Sequence, residues 1–284
     1  MALEKIEELA LKKRVEDAAE KALHYVHTCQ LEDGGYFFAR ITPGSLLDSY
    51  FAVETLRMLG KRPRRPAALG RFVLSLVNKG LVTDVHGLYL SVAILRDLKK
   101  RTEPLRSQGA AIARCLGVLG EVSRPDSLYT EVVSELEKVF EAASVLVYLE
   151  IPFDREAIVS FISSLANEDG GFGWGLGSSL ATTYYAVQTL AMLGHPLQQH
   201  ERTISFLRQR EQNVQFLEDL YYLSTASYAL GESLSDRESA ISFVLDCRRS
   251  SGGFARARPI GIATLEYTYY AISVFKQLEV WKIK

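Results

Sequence analysis

The stretch that indicates the fold runs from Asn167 to Gly194. Residues 167–172 read Asn-Glu-Asp-Gly-Gly-Phe, and residues 183–194 read Thr-Tyr-Tyr-Ala-Val-Gln-Thr-Leu-Ala-Met-Leu-Gly. A glycine pair in such a position is typical of a tight turn. The second segment is apolar almost all round, which is typical of a helix buried on several sides, and a C-terminal glycine accepts the left-handed backbone conformation that ends a helix. The stretch therefore predicts a turn followed by a buried helix.

Two further copies of this pattern occur in the chain. Gly34-Gly35-Tyr36 precedes a similar segment at residues 48–60, and Gly252-Gly253-Phe254 precedes one at residues 268–275. The interval from Gly34 to Gly170 is 136 residues and that from Gly170 to Gly252 is 82 residues. These intervals match three and two units of about 40 to 45 residues, a period typical of paired-helix repeats.

Fainter copies fill the intervals between the clear ones. Each reads as an amphipathic helix, a turn and a second, more apolar helix, with an irregular stretch near Pro125 inside the middle copy. No run of alternating β-branched residues between hairpin turns indicates a strand. The sequence thus predicts an all-α fold of six helix–loop–helix units, the fainter ones lying at residues 66–78 with 87–98, 104–119 with 139–149, and 199–211 with 217–230.

Composition narrows the class of protein. The 284 residues include 33 Lys and Arg against 34 Asp and Glu, a net charge of −1, which gives no electrostatic reason to expect binding to nucleic acid or to an anionic membrane. The three cysteines, Cys29, Cys115 and Cys247, are too dispersed for a disulfide framework. No apolar signal segment or membrane span is evident, so we expect a cytoplasmic protein.

The repeat resembles the α/α-toroid of protein prenyltransferase β-subunits and of squalene-type terpene cyclases. The β-subunit pattern, in which a Gly-Gly-Phe loop joins an outer helix to an inner one, is the more similar, and the resemblance spans about residues 14–280. It implies an α6/α6 barrel (toroid) of six helical hairpins with a central, aromatic-lined cavity. It also implies a single domain over residues 1–284, with an N-terminal helix over about residues 1–30.

The catalytic residues of this family are only partly matched. Protein prenyltransferases bind zinc through Asp-x-Cys at the start of the fifth inner helix and a histidine in the sixth. Here the first motif reads Asp219-Leu220-Tyr221, and Glu266 or Tyr267 stands where the histidine would be. Tyrosine is a poor zinc ligand at neutral pH, so we expect no metal and no other cofactor. The Asp-x-Asp-Asp acid motif of the cyclases is absent, which leaves no evident proton donor for an alkene.

Polar residues at the starts of the inner helices are the candidates for a ligand site. If the barrel closes, these helix ends converge on one rim, where Asp84 and His86 of the second inner helix also lie. The alternative is structural, because acids in a first turn stabilise the helix dipole and tyrosines fill the space between helices. The candidates for the cavity are Asp48, Tyr50, Tyr184, Asp219, Tyr221, Tyr222, Glu266 and Tyr267. Arg256 and Arg258 are candidates for an anionic head group, with a solvated loop as their alternative.

Three hypotheses about function remain open at this point. The first is a module that holds a hydrophobic, isoprenoid-like ligand or a peptide tail in the central cavity, without the zinc or acid site. The second is a divergent prenyl-transferring or terpene-cyclising enzyme that shields a carbocation with aromatic rings. The third is a non-catalytic structural subunit that assembles with a helical-repeat partner. The missing zinc ligands and acid motif favour the first and the third.

Overall fold

A computed structural model describes residues 2–116, 129–175 and 177–280 of the chain. The predicted all-α class is confirmed, because the described residues form helices and no strand. The irregular stretch predicted near Pro125 lies outside the described residues. The helices are α1 (Ala2–Thr28), α2 (Leu46–Met58), α3 (Pro66–Asn78), α4 (Val85–Asp97), α5 (Arg106–Leu116), α6 (Tyr129–Tyr148), α7 (Arg155–Ser164), α8 (Leu180–Met192), α9 (His200–Glu211), α10 (Leu217–Ala229), α11 (Arg237–Asp246) and α12 (Leu265–Gln277).

The helices belong to two compact units. Unit 1 comprises residues 1–74, 214–225 and 233–284, and in it α2 packs along α12 while α1 contacts α2, α11 and α12. Unit 2 comprises residues 75–213 and 226–232, and in it α6 packs against α4, α5 and α8. Unit 1 therefore joins helices from the two ends of the chain, whereas unit 2 is built from the middle of it. The single domain over residues 1–284 stays a prediction.

The Gly-Gly loops are positioned by close backbone packing. Gly34, Gly170 and Gly252 have φ angles of 98°, 90° and 92°, in the left-handed region that favours glycine. A Cβ atom on any of them would overlap the backbone of another helix, α3 for the first loop, α9 for the second and α1 for the third. Two separate reasons therefore require glycine at each position. The backbone adopts a left-handed conformation, and a neighbouring helix leaves no room for a Cβ atom.

A buried hydroxyl on the following helix holds each loop. The backbone N–H of the aromatic residue after the glycine pair donates to Ser49 Oγ at 2.9 Å, to Thr183 Oγ1 at 3.0 Å and to Thr268 Oγ1 at 3.1 Å. The three aromatic rings are themselves buried, with 1% or less of their surface exposed. Because a buried N–H without an acceptor is costly, these hydroxyls fix where each inner helix begins relative to its loop.

Capping residues begin four of the apolar helices, and a glycine follows the ends of α2, α8 and α10. Ser45, Asp84, Ser179 and Thr264 accept hydrogen bonds from backbone N–H groups of the first turns of α2, α4, α8 and α12. The sequence also predicts helix ends at Gly60, Gly194 and Gly231, each of which follows a leucine, and all three glycines have positive φ. The polar starts of these helices are thus set by local sequence, and the candidate site residues lie there.

Candidate functional site

A cluster of aromatic side chains lies in unit 1, where α2, α10 and α12 meet. The rings of Tyr221 and Tyr270 stack with their centroids 4.4 Å apart, and Tyr269 lies 5.4 Å from Phe51. Tyr267 lies 6.0 Å from the ring of Tyr270. We call this set the tyrosine cluster; its members are Tyr50, Phe51, Tyr221, Tyr222, Tyr267, Tyr269 and Tyr270.

The tyrosine cluster has a buried part and an accessible part. Phe51, Tyr221 and Tyr270 are buried, with 8%, 5% and 7% of their surfaces exposed. The remaining four rings are only half-buried, so part of each is open to contact. Within the cluster the hydroxyls of Tyr221 and Tyr269 lie 3.0 Å apart. The arrangement combines partly accessible aromatic surface with one pair of hydroxyls that bond to each other.

Two carboxyl groups border the tyrosine cluster. Glu266 Oε1 accepts a hydrogen bond from the Tyr270 hydroxyl at 3.0 Å. Asp48, 9% exposed, accepts one from the backbone N–H of Phe38 at 3.4 Å. Burial, and then the nearby charge of Glu266, raises the pKa of Asp48 to about 6. Burial, together with the charges of neighbouring glutamates, raises the pKa of Tyr267 to about 12. The border of the cluster is therefore an environment that disfavours further negative charge.

The residues in the family's zinc positions do not fit a zinc site. The Asp219 carboxylate accepts hydrogen bonds from the backbone N–H groups of Phe216 and Gln215 at 3.0 and 3.4 Å, the bonds of a helix cap. Tyr221 takes the place of the thiolate, and its hydroxyl is bonded to that of Tyr269. Within the described residues no group of three or more histidine, cysteine, aspartate and glutamate side chains is placed to hold a metal. Asp219 thus stabilises the first turn of α10. The residues at these positions do not provide the thiolate and imidazole ligands that zinc favours.

The two candidate arginines both form ion pairs. Arg256 Nη2 lies 2.5 Å from Glu218 Oε1, and the guanidinium lies 4.0 Å from the ring centroid of Phe216. Arg258 Nη1 lies 2.9 Å from Asp246 Oδ2. An anionic head group would have to compete with a carboxylate at either side chain, which weakens the case for both as anion-binding residues.

Tyr184 lies in unit 2, on α8. Its ring centroid is 4.9 Å from that of Tyr185. Tyr221 and Tyr267 share contact with Tyr270 in unit 1. The expectation that Tyr184 faces one space together with Asp219, Tyr221 and Tyr267 stays a prediction.

The candidates predicted from the sequence lack three members of the tyrosine cluster, Phe51, Tyr269 and Tyr270. The two tyrosines follow the candidate Tyr267 on α12, whereas Phe51 had no comparable signal. Phe51 contacts both Tyr269 and Tyr270, yet it has no polar atom and lies in an apolar helix. Nothing in the sequence separates it from the ordinary core residues of α2. The only signal for Phe51 in the sequence is its position directly after the candidate Tyr50.

Comparison with known proteins identifies the fold family. The prenyltransferase alpha-alpha toroid domain matches residues 1–121, 125–219 and 213–283. Among solved structures, the chain is similar to Candida albicans protein geranylgeranyltransferase-I complexed with GGPP, with a TM-score of 0.60 and 13% identity over 82% of this chain and 83% of that one. At that identity the similarity establishes the fold.

The family match is the basis for assigning this chain to a family. No curated protein matches the chain. None of the helices in the described ranges is long and apolar enough to cross a membrane. The predicted toroid of helical hairpins is confirmed by the family match, which extends over most of the sequence. The chain belongs to the prenyltransferase alpha-alpha toroid family.

Proposed function

We propose that this protein binds a hydrophobic, isoprenoid-like ligand against the tyrosine cluster of unit 1. The observation that carries the proposal is the half-buried state of Tyr50, Tyr222, Tyr267 and Tyr269. Rings that only fill a core are enclosed on all sides, whereas these four keep accessible surface beside three buried rings. Aromatic faces suit the methyl groups and double bonds of an isoprenoid chain, and the hydroxyls of Tyr221 and Tyr269 bond to each other.

The energetics of such binding do not require a metal. Burial of each methylene group contributes about 0.8 kcal/mol, so a chain of several isoprene units gains enough to offset the entropy lost on association. The similar Candida structure holds GGPP, which supports the same class of ligand here. Zinc-dependent transfer to a thiol is not supported, because Asp219 caps α10 and Tyr221 occupies the position of the thiolate.

Ligand titration tests the proposal. It compares a variant of a tyrosine in the cluster with a control variant of an exposed tyrosine on α10, a helix that contributes to the cluster. Geranylgeranyl diphosphate and geranylgeraniol are titrated into the wild-type chain and the Tyr269→Ala and Tyr228→Ala variants by calorimetry. Tyr228 lies on α10 like Tyr221, but it is 58% exposed. We expect Tyr269→Ala to weaken binding about five- to tenfold, the value of one aromatic contact, and Tyr228→Ala to leave it unchanged.

The pattern of ligands distinguishes the alternatives. Similar affinities for the diphosphate and the alcohol would support recognition of the hydrocarbon, and a peptide ending in farnesylated cysteine tests whether a peptide tail is tolerated. The proposal fails if the wild-type chain binds none of these ligands, or if Tyr269→Ala binds them as well as the wild type does.

A further inference from the structure

A histidine–glutamate pair in unit 2 lies outside the tyrosine cluster. His86 Nδ1 and Glu141 Oε1 are 2.6 Å apart and connect α4 to α6. The two side chains differ in exposure: that of Glu141 is 5% exposed and that of His86 is 45% exposed. The buried carboxylate therefore holds a ring whose other edge remains accessible. In the neutral ring Nδ1 carries the proton that Glu141 accepts, and the lone pair is on Nε2.

The surrounding charges strengthen His86 as a base. The hydrogen bond to Glu141 raises its pKa, and the charges of Glu141, Glu137 and Asp84 act in the same direction, while partial burial opposes them. Burial raises the pKa of Glu141. The other two carboxylates have partners of their own: Asp84 accepts from the backbone N–H of Gly87 at 2.8 Å, and Glu137 from the Tyr185 hydroxyl at 2.7 Å.

Aromatic rings accompany the pair. Tyr89 lies one turn after His86 on α4, and Phe140 directly precedes Glu141 on α6. The centroid of Phe140 is 6.1 Å from that of Tyr89 and 5.9 Å from that of Tyr185. Glu137, Phe140 and Glu141 have the i, i+3, i+4 spacing of one helix face. The acid–base pair therefore lies beside an aromatic group in which Tyr89 and Tyr185 are buried and the Phe140 ring is half-buried.

The asymmetry of exposure argues against a purely structural pair. Burying a carboxylate is costly unless it is paired, so Glu141 depends on the hydrogen bond from His86, whereas the more exposed His86 does not need Glu141 in the same way. Here the partner of the buried group is the more exposed of the two. This is the arrangement in which a fixed carboxylate orients a histidine toward a third group.

We propose that His86 is a general base for a weakly acidic ligand group of the thiol or phenol class, with Glu141 as the residue that positions it. In this step the S–H or O–H bond of the ligand breaks and its electron pair stays on the sulfur or oxygen. The proton binds to Nε2 of His86, and the resulting imidazolium lies between the anion and the Glu141 carboxylate. Thiols and phenols fit because their pKa values lie closer to that of histidine than those of alcohols do.

The experiment uses p-nitrophenol, whose ionised form absorbs visible light. The apparent pKa of p-nitrophenol is measured with excess full-length protein, for the wild type and the variants His86→Gln, Glu141→Gln and His200→Gln. His200 is the matched control, an exposed histidine at the start of α9 in the same unit. 4-Nitroanisole, which has no ionisable proton, reports binding beside the half-buried Phe140 ring without proton transfer.

We expect the wild type and His200→Gln to lower the apparent pKa of p-nitrophenol by about one unit, the effect of a nearby opposite charge. Glu141→Gln should give a smaller shift, and NMR titration should find the His86 pKa lower in that variant. His86→Gln should give no shift while still binding 4-nitroanisole and keeping its helical circular dichroism. An unshifted p-nitrophenol with the wild type, or an equal shift with His86→Gln, would overturn the proposal. Neither readout depends on isoprenoid binding at the tyrosine cluster.

Discussion

At the scale of single residues, glycine and buried acids have the most direct effects. Gly170 has a φ of 90° and lies against the backbone of Arg202, so a side chain there meets two obstacles. Gly175 in the same loop also has a positive φ, 65°, but nothing lies within 4 Å of its missing Cβ. Comparison of the two glycines therefore separates the free energy lost to an unfavourable backbone conformation from that lost to a steric clash with α9.

Gly170→Ala should lower the free energy of unfolding by about 3 kcal/mol or more, because the backbone must move to admit the methyl group. Gly175→Ala should cost about 1 kcal/mol, the conformational term alone. Urea denaturation followed by circular dichroism measures both. Equal losses in the two variants would mean that packing of the loop against α9 contributes nothing.

Asp48 makes a testable contribution to the pH dependence of stability. Its pKa is raised to about 6 by burial and by Glu266, above the ordinary value of an unfolded aspartate near 4. The folded state therefore binds this proton more tightly than the unfolded state does. The contribution of Asp48 is fully present below pH 4 and is lost as the pH rises through 6.

Asp48→Asn removes this titration while keeping an acceptor for the Phe38 N–H. We expect the stability of the variant relative to the wild type to increase between pH 4 and pH 7, by about 2 kcal/mol. Urea denaturation at pH 4, 5, 6 and 7 measures the difference. A difference that stays constant with pH would show that Asp48 titrates normally in the folded protein.

At the scale of elements, the loop-to-helix hydrogen bonds connect neighbouring parts of each repeat. Thr183 on α8 accepts the Phe172 N–H at 3.0 Å in a fully buried position. Thr189, on the same helix and equally buried, donates instead to the Tyr185 carbonyl at 2.7 Å. The Thr183 hydroxyl therefore holds a loop to α8, whereas the Thr189 hydroxyl adds a second donor to a carbonyl within α8.

Thr183→Val should destabilise the protein by about 1–3 kcal/mol, because it leaves a buried N–H without an acceptor. Thr189→Val should cost less than about 1 kcal/mol, since the Tyr185 carbonyl lies in the interior of α8, where the helix itself supplies a backbone donor. Thermal and urea unfolding of the two variants provide the comparison. If Thr189→Val were the more damaging, the loop bond would not be what fixes the start of α8.

At the scale of the whole molecule, the residues at the zinc positions of protein prenyltransferases do not fit a zinc site, and the absence of a metal stays a prediction. Asp219 and Tyr221 stand in the positions of the Asp-x-Cys zinc motif, but both side chains make other interactions. Asp219 accepts a hydrogen bond from the start of α10, and the Tyr221 hydroxyl is bonded to that of Tyr269. The predicted partner subunit and the cytoplasmic location stay predictions.

Removal of metal should therefore leave the protein unchanged. After dialysis against a chelator we expect elemental analysis to find zinc far below one ion per chain, and the melting temperature to be the same before and after dialysis. Addition of zinc should not raise it. One zinc per chain retained through dialysis, with a lower melting temperature once it is stripped, would contradict the prediction.

The sequence by itself determined the order of the helices and most of their bounds. One prediction was wrong: the second helix of the middle copy was expected at residues 139–149, but α6 already begins at Tyr129. Residues 66–78 were predicted to be helical and α3 spans Pro66–Asn78, while the predicted helices at 199–211 and 217–230 differ from α9 and α10 by one residue at one end. Such agreement is expected because apolar spacing, capping residues and glycine stops act over a few residues. The acids at the helix starts could also be read as caps, and Asp84 and Asp219 have that role.

Only the tertiary structure decided which residues meet. Tyr221 stacks on Tyr270 across 49 positions of sequence, and His86 bonds to Glu141 across 55. Phe51 enters the tyrosine cluster without any polar signal, and Glu141 lies in the middle of a helix, where no rule of local sequence distinguishes it. The physical reason is that helix periodicity fixes which face of a helix is buried but not which side chain of another helix lies opposite, a choice made by packing over the whole chain.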